Sequence, residues 1–164
     1  MSSRIAQTLR EEHAATALLF GRLESLVASF TRRCPDCASP EVADLLRRLP
    51  SAIDGELLRH FDFEDKPLFE ELAAMGETQV AAQLSAEHEL MRPLARRLAQ
   101  LAALAFANAF TEASWRDFRA VSNELCALLR THIEIEEQML MPLLDETLDA
   151  VADARLYHAY AGNL

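Results

Sequence analysis

The feature that most limits the folds open to this chain is an apolar spacing of three or four residues, sustained through four long segments. From about Ser3 to Phe30 the series is Ile5, Leu9, His13, Ala17, Phe20, Leu23, Val27 and Phe30. The second segment carries Val42, Leu45, Leu46, Leu49, Ile53, Leu57, His60, Glu64 and Leu68. The third, from about Thr78 to Ala107, carries Val80, Leu84, His88, Met91, Ala95, Leu98 and Leu101. The fourth carries Phe118, Val121, Leu125, Leu128, Leu129, His132, Glu136, Met139 and Leu143. Such steps put side chains on one face of a helix. The stretch HFDFED at 60–65 alternates like a half-buried strand, but only briefly, and the helical spacing around it runs far longer.

Ser39 before Pro40 and Thr111 mark helix starts, Gly76 marks a stop, and Pro50 kinks or splits the second segment. Thr147 opens a short last helix to about Tyr160. The expected fold is all-α: an antiparallel, up-down-up-down four-helix bundle with a short C-terminal helix. One domain is expected over residues 1–164, with the bundle at about 3–145 and the last helix at about 147–160. A chain of 164 residues can bury a full core. A net charge of −10 argues against a nucleic-acid partner. No apolar run is long enough to span a membrane, and the start lacks an export-signal core. A cytoplasmic location is the expectation.

Each stripe is interrupted by a histidine: His13, His60, His88 and His132. On the second and fourth segments a glutamate follows one turn later, Glu64 and Glu136, so imidazole and carboxylate point inward together. An ionised glutamate buried without a partner is costly, and two facing each other more so. A metal centre satisfies all six groups. The chain also repeats itself. LREEH at 9–13 is echoed by LSAEH at 84–88, and HFDFED at 60–65 by HIEIEE at 132–137, at offsets of 75 and 72 residues. Each half thus supplies one lone histidine and one His-x-x-x-Glu. The pattern suits two metal ions, each bound by two histidines and bridged by both glutamates. Four imidazoles, two carboxylates and no thiolate favour iron, with manganese or zinc as lesser options. No Glu-x-x-His occurs, so the other di-iron bundle pattern fails. Asp65 and Glu137 fall off the stripe and read as solvated groups or as groups behind the ligands; His158 has no such register.

At these residues the sequence resembles the hemerythrin-like (HHE cation-binding) family: His13, His60 with Glu64, His88, then His132 with Glu136 and the run Met139-Leu140-Met141-Pro142. The resemblance implies a non-haem di-iron centre, oxo- or hydroxo-bridged, that binds dioxygen or nitric oxide, in sensing or stress response. Oxygen-carrying members place a second histidine one turn from the one on the third helix, where this chain has Leu84 and Arg92. The four-histidine, two-glutamate set is closer to iron–sulfur cluster repair di-iron proteins and to sensing domains. Nitric oxide reduction, repair and iron storage are the alternatives, and no catalytic residue is assigned.

Cys34-Pro-Asp-Cys37 reads as a pair of loop thiols without catalysis, with reversible oxidation as the functional alternative. Met91, Met139 and Met141 read as core, Trp115 as packing, and Pro67, Pro93 and Pro142 as bends near the site.

Overall fold

The computed structural model describes residues 2–162 and is all-helical over them, without strands. Helix α1 is Arg4–Ser29. Helix α2 runs through residues 40–74 and changes register twice, with π-helical turns at Ile53–Leu57 and Glu64–Leu68. Helix α3 is Gln79–Asn108. Helix α4 covers residues 112–147 with a π-helical turn at Glu136–Leu140, and α5 is Ala150–Ala161. Helices α2, α3 and α4 pack as successive neighbours, α4 closes back onto α1, and α5 lies across α1. This is the expected bundle. None of these helices is long and apolar enough to cross a membrane.

The ends follow local chemistry. Ser3 caps α1 through the Ala6 N–H, Thr111 and Ser114 cap α4 reciprocally, and Asp149 accepts from Val151 and Ala152 at the start of α5. Gly76 stops α2 at φ 88°, with Glu77 N–H bonding to the Leu72 carbonyl and Gly76 N–H to that of Ala73. Three expectations are corrected. Thr147 ends a helix rather than opening one, because the extended Leu148 (ψ 123°) breaks the chain and Asp149 supplies the cap. Of the two outcomes expected at Pro50, a split does not occur: the segment stays helical through it, and a π-helical turn begins three residues later. Met139 is 49% exposed rather than core, because the π-helical turn rotates it off the stripe that Glu136 occupies.

Two apolar clusters fill the bundle. One gathers Phe20, Leu23, Leu46, Leu98, Phe118 and their neighbours. The other gathers Ile5, Leu9, Leu68, Leu84, Leu140 and theirs. Between them the stripe residues are His13, His60, Glu64, His88, His132 and Glu136, all buried. The bundle is thus apolar, then polar, then apolar along its axis. Cys34 and Cys37 pack against the first cluster, at the end away from this layer.

A Cβ at Gly76 would meet nothing within 4 Å, so Gly76→Ala carries only the backbone cost of a left-handed residue, about 1 kcal/mol. Urea unfolding should show a lower midpoint with an unchanged slope. An unchanged midpoint contradicts this reading of the turn.

Candidate metal centre

All six residues singled out in the sequence meet in the polar layer. Their donor atoms form two groups, His13, His60, Glu64 and Glu136, and Glu64, His88, His132 and Glu136, each within 4.8 Å. Both glutamates belong to both groups, and each turns one oxygen to each side. Glu64 Oε1 lies 3.3 Å from His60 Nε2, and its Oε2 lies 3.3 Å from His88 Nε2. Glu136 Oε2 lies 2.7 Å from His13 Nε2 and 3.9 Å from His60 Nε2, and its Oε1 lies 2.6 Å from His132 Nε2. The two glutamates are fully buried.

These contacts are close but not directed hydrogen bonds. His13 Nε2 and all four glutamate oxygens are buried without a hydrogen-bond partner. Unpaired buried acceptors are costly, and here they converge. A nitrogen-and-carboxylate set of this kind fits a divalent cation of the iron, manganese or zinc type.

The outward nitrogens are held too. His13 Nδ1 meets Glu137 Oε1 at 2.5 Å, and His60 Nδ1 meets Glu12 Oε2 at 2.9 Å. His88 Nδ1 meets Asp65 Oδ1 at 2.8 Å, and His132 Nδ1 meets Glu87 Oε2 at 2.7 Å. Each carboxylate therefore reaches to the next helix round: α1 to α2, α2 to α3, α3 to α4 and α4 to α1. Helix geometry explains this. Glu12 and Glu87 precede the lone histidines by one residue, about −100° round the axis. Asp65 and Glu137 follow theirs by five residues, about +140°. In antiparallel neighbours these opposite rotations turn in one sense when viewed from one end. The result is a closed ring of four acids around four imidazoles, each acid fixing Nδ1 and leaving Nε2 for the interior.

Sequence reasoning left Asp65 and Glu137 undecided between solvent and support; both support. It missed Glu12 and Glu87 as supports, although both stood inside the repeated Leu-x-x-Glu-His. It also missed Arg92, which bonds Asp65 Oδ2 at 2.6 Å from behind. His158 is exposed and apart from the site.

Protonation follows from this setting. Burial pulls His88 down, but Asp65 and Glu64 outweigh it and raise the imidazole to about 9. Burial likewise opposes charge on His13 and His60, yet Glu136 beside the first and Glu64 and Glu12 beside the second raise both, His60 well above its usual range. Burial pushes Glu136 up, but His13, His132 and His60 hold it well below the usual carboxylate range. Burial also works against Asp65, which His88 and Arg92 hold at about 2.

The sequence model described as "Hemerythrin HHE cation binding domain" matches residues 4–144. No curated protein and no solved structure matches the chain.

The linkage has a definite sign. The His88 contribution to stability is complete below pH 6.5 and gone once pH passes about 9; that of Asp65 is complete above pH 3.8 and lost towards about 2. In chelator, the melting temperature should fall between pH 6.5 and pH 9, and fall less steeply in Asp65→Asn. Equal slopes for the two proteins contradict the assignment of this pair.

Proposed function

The chain belongs to the hemerythrin HHE cation-binding domain family, and from that premise we propose that the polar layer holds two iron ions and binds dioxygen or nitric oxide. The observation that carries this reading is the set of four buried glutamate oxygens, unpartnered and turned two by two towards the histidine pairs. His13 and His60, with Glu64 Oε1 and Glu136 Oε2, would hold one ion. His88 and His132, with Glu64 Oε2 and Glu136 Oε1, would hold the other. Iron held there supplies exchangeable coordination positions and reversible one-electron chemistry to a small ligand.

The chain's own residues define how a ligand gets in. On one side Phe61 stacks on His88 at 4.2 Å between ring centroids, and Phe69 lies parallel to His88 at 6.1 Å. These two rings enclose His88. A void of about 10 Å³, about the size of one water, touches the other three histidines, His13, His60 and His132, and is bounded by Thr16, Leu57, Phe61 and Glu136 among others. Thr16 and Leu57 also line a groove of about 350 Å³ on the seam between α1 and α2. A neutral diatomic molecule would enter past these two side chains, while larger and charged solutes are kept out by size and by the acid ring.

Elemental analysis of protein purified without oxygen should find about two irons per chain, falling in His60→Ala and Glu136→Ala. A reversible visible band on adding dioxygen favours binding or sensing. Irreversible oxidation, or reductant-driven loss of nitric oxide, favours repair or nitric oxide reduction instead. No iron, after reconstitution as well, rejects the proposal.

The route has its own test. In the iron-loaded protein Leu57→Phe should slow association of nitric oxide and Leu57→Ala should speed it, with iron content unchanged in both. Equal rates in all three proteins exclude entry past Leu57.

A further inference from the structure

The short C-terminal helix lies beyond the residues matched to the family, 4–144, yet it is firmly attached. Asp153 accepts from the Arg4 and Ile5 N–H groups, so α5 caps the start of α1. Arg4 sits 3.9 Å over the Tyr157 ring, and Leu156 and Tyr160 are buried. Tyr160 is 3% exposed, its ring edge-on to Phe63 at 4.8 Å and beneath the Arg59 guanidinium at 4.5 Å.

The Tyr160 hydroxyl donates to Glu12 Oε1 and accepts from Arg59 Nη2 at 2.8 Å. Arg59 Nη2 also reaches Glu12 Oε1 at 3.2 Å. The other oxygen, Oε2, is the one that takes Nδ1 of His60. Both oxygens of Glu12 are therefore committed, one outward to α5 and one inward to the metal layer. Burial and the neighbouring Glu12 carboxylate push the phenol further up, so Tyr160 keeps its proton and acts as the donor.

The internal repeat makes the contrast plain. The counterpart of Glu12, 75 residues on, is Glu87, which holds His132 in the same way. Among the described residues, only the amide of the exposed Gln83 stands behind Glu87, at 3.2 Å. The four inner histidines and two glutamates follow the repeat, and the support behind them does not.

We propose that the C-terminal helix completes the metal centre: Tyr160 is a positioning residue that, with Arg59, fixes Glu12 and through it the His60 imidazole, so that the two metal positions are held unequally. This rests on the metal reading above. A groove of about 520 Å³ borders Glu12, Arg59, His60, Tyr157 and Tyr160. Removing the hydroxyl would admit water to the carboxylate and free it to turn away from His60.

Tyr160→Phe removes one oxygen and keeps the ring packing. The zinc-loaded protein, labelled with ¹⁵N at histidine, should show four slowly exchanging imidazole N–H signals, one per metal-layer histidine. In Tyr160→Phe only the His60 signal should move and exchange faster with water, with helix content unchanged. Competition with a chelator should release one of the two ions about tenfold more readily. Glu12→Gln should have the same effect, and the double variant should be little worse than either single one, because both act through one contact. If Tyr160→Phe does not fold, the His60 signal in Glu12→Gln decides. All four signals moving together, or none moving while wild type holds its metal, overturns the inference. A wild-type protein that takes up neither zinc nor iron overturns the metal reading itself, and this one with it.

Discussion

Two glutamates in the middle of an apolar bundle set the terms for the rest of the structure. Glu64 and Glu136 have no exposed surface, and both are within reach of the same four imidazoles. Carboxylates so placed need positive charge nearby. Protons on His13, His60 and His88 supply it when no metal is present, and a cation supplies it otherwise. Protons and metal therefore compete for one electrostatic role, and affinity for metal must depend on pH. The outer acids act on both sides of this competition. Glu12, Asp65 and Glu137 favour imidazolium on His60, His88 and His13, and all four outer acids, Glu87 included, turn each Nε2 inward and make it a better donor.

The backbone accommodates this layer where it is most crowded. Both His-x-x-x-Glu stretches run into a π-helical turn at the glutamate itself, Glu64–Leu68 and Glu136–Leu140. A π-helical turn inserts one residue and shifts the register of everything after it. The segment before each glutamate can then aim at the site while the segment after it returns to the apolar cluster of Leu68, Leu72, Leu140 and Leu144. Pro67, which has no N–H to give to a regular helical bond, lies inside the first of these turns. Pro93, by contrast, sits within α3 without a π-helical turn, and that helix contributes one histidine, His88, to the polar layer.

The bundle and its six inner residues were legible because both depend on one periodicity. A histidine at an apolar position, with a glutamate a turn later, declares its direction without any knowledge of the neighbouring helices. The outer ring was only half legible. Glu12 and Glu87 were visible as part of a repeated motif, but their partners lie on the next helix, and assigning them requires the direction in which the bundle winds. Tyr160 gave no signal at all: its partner Glu12 is 148 residues away, and α5 has no repeat to place it. The π-helical turns were hidden for a related reason. Each shifts the stripe by one position, enough to expose Met139 but too little to break the pattern.

The repeat of the chain would by itself give two equivalent metal positions, and the surroundings remove that equivalence. His88 is enclosed by Phe61 and Phe69, with Asp65 anchored by Arg92 behind it. His60 faces a small void on one side and, on the other, an acid tied to a tyrosine from outside the bundle. The void touches His132 as well as His13 and His60, so on the proposed reading both ions border the space a small ligand can enter, and His88 alone is enclosed by rings. Ligand exchange needs room and an exchangeable position, whereas retention of metal needs rigid donors. On the proposed reading the enclosed His88 answers the second demand, and the three histidines at the void answer the first. On that reading the cost falls on His13, His60 and His132, which border the void and still have to hold their ions. Among the acids behind these histidines, Glu12 is the one anchored from outside the bundle, where α5 docks.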